Sequence, residues 1–76
     1  MDTFAKLRAI IVDVLEISEE IVTLESTPKD LDADSIDMLD VVGEAEQVFN
    51  VEIPDEALEK FVTIGDFVKY IEGDSK

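Results

Sequence analysis

Seventy-six residues with a formal net charge of −14, no cysteine and no histidine exclude several designs at the outset. The chain has neither disulfides nor a Cys/His zinc site as staples, and twenty acids against six bases repel nucleic acid phosphates and anionic lipid while attracting basic protein surfaces. An apolar share of 46% suffices for one small packed core, so a single domain over residues 1–76 is expected.

The chain opens Met1-Asp2-Thr3-Phe4, without a basic segment or a long apolar run, so neither a signal peptide nor a transmembrane span is expected, and the expected location is cytoplasmic. From Thr3 to Leu15, Phe4, Leu7, Ile10, Ile11, Val14 and Leu15 recur at three- and four-residue spacing. That spacing predicts an amphipathic helix, with Asp2 or Thr3 as its N-cap. Ile10, Ile11 and Val12 lower its intrinsic propensity, so packing must hold it. Glu16 to Asp34 is then a nineteen-residue connection, long for a structureless loop. Pro28 argues against one continuous helix there; Ile17, Ile21, Val22, Leu24 and Leu31 are placed to pin it to the core.

A second helix is predicted from about Ser35 to Asn50. Asp34 is its N-cap, and Asp37, three residues on, can complete a capping box. At 100° per residue, Met38, Leu39, Val41, Val42, Ala45, Val48 and Phe49 share one broad arc, with Glu46 at its edge. Asp37, Asp40, Gly43, Glu44, Gln47 and Asn50 share the other. Ile36 falls in the middle of that acidic arc, which suits a contact point with an apolar centre and a charged rim. Pro54 starts a short third helix through about Phe61, with Leu58 and Phe61 inward. Thr63 and Asp66 form another cap and box, followed by Ile64, Phe67, Val68 and Ile71 at helical spacing and a stop at Gly73. No stretch reads as a strand. The expected fold is all-α: a small four-helix bundle with a short third helix and a long loop between helices one and two.

From Asp30 through Glu59 there are eleven acids and no base. Apolar periodicity through the same window indicates that they coat a folded element. Asp30-x-Asp32-x-Asp34 has the spacing of half an EF-hand loop, but Ser35 stands where the motif needs glycine and Val41 where it needs a bidentate Glu, so no calcium site or other metal site is expected. The acids lie on the solvent arc, where nothing raises a carboxyl pKa for acid–base work. No phosphate-binding glycine loop or dinucleotide fingerprint is present. Ser35 has no imidazole to take its proton. An enzyme is therefore not expected and no catalytic residue is assigned; if Ser35 carries chemistry, another enzyme acts on it.

Locally, a first-turn serine after an N-cap aspartate is ordinary helix punctuation. A helix start does favour negative charge, so a phosphate ester on Ser35 would be accommodated there, partly opposed by Asp34 and Asp37. The wider pattern carries more. Leu31-Asp32-Ala33-Asp34-Ser35-Ile36-Asp37 resembles the acyl carrier protein signature around the phosphopantetheine attachment serine. The likeness continues through Glu46-Gln47-Val48-Phe49, Val51-Glu52-Ile53-Pro54-Asp55-Glu56 and Thr63-Ile64-Gly65-Asp66-Phe67-Val68-Lys69-Tyr70-Ile71, almost without gaps.

The resemblance implies that a phosphopantetheinyl transferase attaches the 4′-phosphopantetheine arm of coenzyme A to Ser35, and that acyl groups ride on its thiol as thioesters for fatty acid or related acyl-chain biosynthesis. Helix two would then be the docking helix. Asp34, Ile36, Asp37, Asp40, Glu44 and Glu46 would meet basic patches on acyl-chain synthesis and transfer enzymes, through contacts weak enough for fast exchange. Val42, Phe49, Ile53, Leu58 and Ile64 are candidates to line an acyl-chain cavity and equally to be plain core. Neither nucleic acid binding nor membrane insertion is expected, and the chain is expected to be a monomer. It departs from the family pattern at Asp32, usually glycine; at Gly43, usually methionine and costing roughly 1 kcal/mol of helix stability against alanine; and at Thr27, often phenylalanine. A dedicated carrier of polyketide or aminoacyl units and a noncovalent acidic adaptor are the alternatives.

Overall fold

The computed structural model describes residues 2–73. Its order is α1 (Thr3–Leu15), a 3-10 turn (Glu19–Ile21), α2 (Ser35–Phe49), α3 (Asp55–Glu59) and α4 (Ile64–Ile71), with no strand among the described residues. The expected four helices and the long first connection are all present.

Three of the four helix starts follow from local chemistry. Asp2 accepts the Phe4 N–H at the head of α1, and full capping boxes open α2 and α4. In the second box Asp66 Oδ2 also takes the Val62 N–H at 2.9 Å and the Thr63 N–H at 3.2 Å. These bonds, the Val62 one first, hold its carboxyl below the ordinary aspartate range. α3 has no side-chain cap, but Asp55 and Glu56 in its first turn suit the helix dipole. It is shorter than the sequence suggests, because the Lys60 and Phe61 N–H groups turn to carbonyls three residues back and tighten the chain out of the α-helix.

α1 packs across α2 and α4. Leu7, Ile11, Val41, Ile64 and Phe67 are sealed at the centre, the pattern the helical spacing predicts. Phe61 lies on Phe67 with ring centroids 5.1 Å apart and on Tyr70 at 5.6 Å, tying the end of α3 to α4. The Tyr70 hydroxyl donates to the Glu52 carbonyl.

The long connection is held by both apolar pins and hydrogen bonds, with Ile17 packed against the core. Val22 and Leu31 are buried, but Ile21 and Leu24 are exposed, against expectation. Buried Ser26 accepts the Thr23 N–H at 3.0 Å and donates to the Ile21 carbonyl, which folds residues 21–26 into a tight hairpin turn. The hairpin then offers two carbonyls to the head of α4: Ile64 N–H to Ser26 and Gly65 N–H to Leu24, both 2.8 Å. A Cβ on residue 65 would sit 3.1 Å from the Leu24 oxygen, so glycine permits that approach.

Just before α2, Thr27 and Asp30 exchange side-chain-to-backbone bonds, each 3.1 Å, and start one helical turn. The turn closes with Ala33 N–H on Pro28 and Asp32 N–H on Lys29, the Schellman pattern. Asp32 occupies its left-handed position with φ 58°. Thr27, the residue that departs from the family's phenylalanine, is thus the cap of this turn.

Candidate functional site

The turn and the capping box together present Ser35 as the first residue of α2. Asp34 Oδ1 accepts the Asp37 N–H at 2.9 Å, and Asp37 Oδ2 accepts the Asp34 N–H at 3.3 Å. The Asp34 carbonyl takes the Met38 N–H. The Ser35 and Ile36 N–H groups keep no protein acceptor among the described residues, so the helix start retains donors for an anion. Ser35 is exposed, and no side-chain hydrogen bond engages its Oγ among the described residues. With no histidine or cysteine anywhere in the chain, the hydroxyl is accessible and unactivated.

Around it α2 presents the face read from the sequence. Ile36 is 69% exposed, and Asp34, Asp40 and Glu44 are exposed with it. Asp37 is half-buried in its box. Glu46 is engaged elsewhere: its Oε2 accepts the Ile53 N–H at 2.8 Å and holds the loop leading to α3. Two residues expected on the inner arc face outward, Leu39 at 54% and Val48 at 52% exposure. The arc was too broad: nine residues apart, Leu39 and Val48 stand on its two opposite edges, and the buried side chains between them are Val41, Val42 and Ala45. The exposed apolar surface near Ser35 is thus larger than Ile36 alone.

On the other side of Ser35, α2 faces α3 and α4 across a groove of about 440 Å³. Met38, Leu39, Leu58, Phe61, Ile64 and Phe67 give it an apolar wall, and Asp34 and Glu59 lie among its polar residues. Of the residues considered for an acyl cavity, Leu58 and Ile64 line it. Val42 and Ile53 are buried in the core, and Phe49 packs against that core outside the groove. A larger groove, about 1080 Å³, runs between α1 and the long connection; none of the residues around Ser35 borders it.

An exposed, unactivated serine at a helix start beside an apolar groove and an acidic face suits a tether better than a catalyst. The family defined by a phosphopantetheine attachment site matches residues 5–71. An acyl carrier protein of Helicobacter acinonychis is 45% identical over 73 residues, 95% of this chain and 94% of that protein. This chain belongs to the acyl carrier protein family. The acyl carrier protein of Helicobacter pylori shares the same identity over the same span, and that of Clostridium perfringens is 46% identical over 69 residues, 90% of this chain and 91% of the relative. The family's cofactor is 4′-phosphopantetheine, and the residues at the head of α2 fit such a group: an exposed hydroxyl to esterify, N–H donors for its phosphate and an apolar groove alongside. The left-handed turn at Asp32 leads the chain into Asp34 and Ser35. Sequence reading missed the structural uses of Asp32 and Glu46, because both depend on backbone geometry outside the local pattern.

Proposed function

We propose that this acyl carrier bears its 4′-phosphopantetheine arm on Ser35. The observation that carries the reading is the exposed Ser35 hydroxyl at the start of α2, between the groove and the acidic face. In the transfer, Ser35 Oγ bonds to the coenzyme A phosphorus nearest the pantetheine, the pyrophosphate P–O bond breaks, and adenosine 3′,5′-bisphosphate leaves. The serine proton goes to a base on the transferase, since this chain has no histidine or cysteine to take it. Once attached, the arm supplies the thiol on which acyl groups travel as thioesters.

The chain's own residues orient and present. Asp34 and Asp37 fix the first turn, and the Ser35 and Ile36 N–H groups receive the phosphate charge. The groove lined by Met38, Leu58, Phe61 and Ile64 offers apolar cover to the proximal part of a cargo. Asp34, Ile36, Asp37, Asp40 and Glu44 form the surface that basic patches of synthesis and transfer enzymes meet, with Glu46 adding charge while it holds Ile53. The solvated acids give weak, salt-sensitive contacts and fast exchange. The fatty acid setting is the usual one for the family. The chain acts as carrier of the acyl substrate and not as catalyst.

The test is the mass of the chain after incubation with coenzyme A and a phosphopantetheinyl transferase. One arm adds to the wild type and none to Ser35→Ala. An arm on Ser35→Ala, or none on the wild type with several transferases, contradicts the reading.

A further inference from the structure

Gly43 lies near the middle of α2 and has no structural reason to be glycine. Its φ is not positive; the positive-φ glycine among the described residues is Gly73. A Cβ built there meets nothing within 4 Å, unlike residue 65 with its close oxygen. Glycine inside a helix lowers stability relative to alanine, so the position carries a penalty that neither conformation nor packing requires.

Its location bears on the tether. Ser35, Leu39, Gly43 and Gln47 are spaced four apart on α2 and form one surface row, the kind of ridge against which another helix packs. Gly43 breaks that ridge and leaves a gap, with exposed Leu39 and Ile36 on the preceding turns and Asp40 and Glu44 beside it. Every enzyme that works on the cargo reaches it through a flexible arm, but the enzyme that installs the arm must bring its active site to Ser35 Oγ itself. Gly43 is eight residues along the helix, about 12 Å at roughly 1.5 Å per residue. Even a transient complex burying about 600 Å² per partner covers a disc of radius about 14 Å. A footprint of that size centred on Ser35 reaches the gap.

We propose that the gap at Gly43 receives a side chain projecting from the basic surface of the phosphopantetheinyl transferase, so that residue 43 sets how well that enzyme accepts this carrier. The proposal rests on Ser35 as the attachment site. The acids flanking the gap select a basic partner surface, and the missing Cβ lets that surface approach the helix backbone.

The experiment compares wild type, Gly43→Ala and Gly43→Leu as substrates of the transferase from the same organism with coenzyme A, measuring kcat and KM for the carrier, with thermal melts alongside. Both variants melt at or above the wild-type temperature, because the added side chain meets open space. Filling the gap raises KM about tenfold or more in Gly43→Leu, with a smaller rise in Gly43→Ala. Values of kcat stay within about twofold, because the reacting oxygen is two turns away. A KM for Gly43→Leu within about twofold of wild type, or an effect confined to kcat, overturns the proposal. A wild type that takes no arm on Ser35 instead removes its premise, so the two failures are read from different samples.

Discussion

Asp32→Gly tests the left-handed backbone ahead of α2. Asp32 closes the turn that delivers the chain to Asp34 and Ser35, and it does so at φ 58°. Its side chain is exposed and makes no hydrogen bond among the described residues, so removing it loses no contact. A residue with a Cβ in the left-handed region is strained by about 1–2 kcal/mol, Asp being among the better tolerated types. Glycine relieves that strain but adds roughly 0.5–1 kcal/mol of unfolded-chain entropy. The net gain is about 0.5–1 kcal/mol, which in a chain of this length raises the melting temperature by about 3–6 °C. Circular dichroism melts at fixed ionic strength measure it. Asp32→Asn is the control, because it keeps the Cβ and removes the charge. The rise in Asp32→Gly beyond that in Asp32→Asn is the backbone contribution. Equal melting temperatures for the two variants, or a fall in Asp32→Gly, would refute the left-handed assignment.

Added salt or magnesium should raise the wild-type melting temperature, because a net charge of −14 is met among the described residues by a single ion pair, Arg8–Glu19 at 3.4 Å; a flat response in melts over increasing NaCl would show better compensated charge. Glu46→Leu strands the Ile53 N–H and should cost about 1–3 kcal/mol in urea unfolding, while Glu46→Gln keeps an acceptor and most of the stability. Asp66 has a lowered carboxyl pKa in the folded protein, so its contribution is present above the unfolded aspartate pKa and is lost as pH falls through that range toward the folded value. Asp66→Asn should accordingly lower stability at neutral pH and flatten its decline in acid, as read from denaturation midpoints across pH.

How much of this was legible beforehand depends on the range of the interaction. The head of α2 was readable because Asp34 and Asp37 cap within three residues, and the head of α4 because Thr63 and Asp66 do the same. The buried Leu7, Ile11, Val41 and Phe67 follow from period alone. The errors lie where a neighbour decides. Leu39 and Val48 carry core residue types but face outward from the two edges of the α2 arc, and Ile21 and Leu24 sit on a turn whose anchors to α4 are backbone hydrogen bonds. Ser35 was identifiable as a candidate only from its place in the whole pattern. Its groove is built by Leu58, Phe61 and Ile64, more than twenty residues away, and no local motif encodes that.

The departures from the family pattern also gain physical meaning. Thr27 caps a turn, Asp32 holds a conformation that glycine would hold with less strain, and Gly43 opens a gap on an otherwise continuous ridge. Two of the three therefore bear on how Ser35 is delivered, and the third on what can approach it.

The most direct test of Ser35 as the point of attachment is the intact mass of the chain isolated with a phosphopantetheinyl transferase and coenzyme A, followed by peptide mapping. The expected result is a mass increase of one phosphopantetheine arm, located on Ser35, and an unchanged mass for a folded Ser35→Ala. An arm located on another residue, or a folded wild type that several transferases leave unmodified, would contradict it.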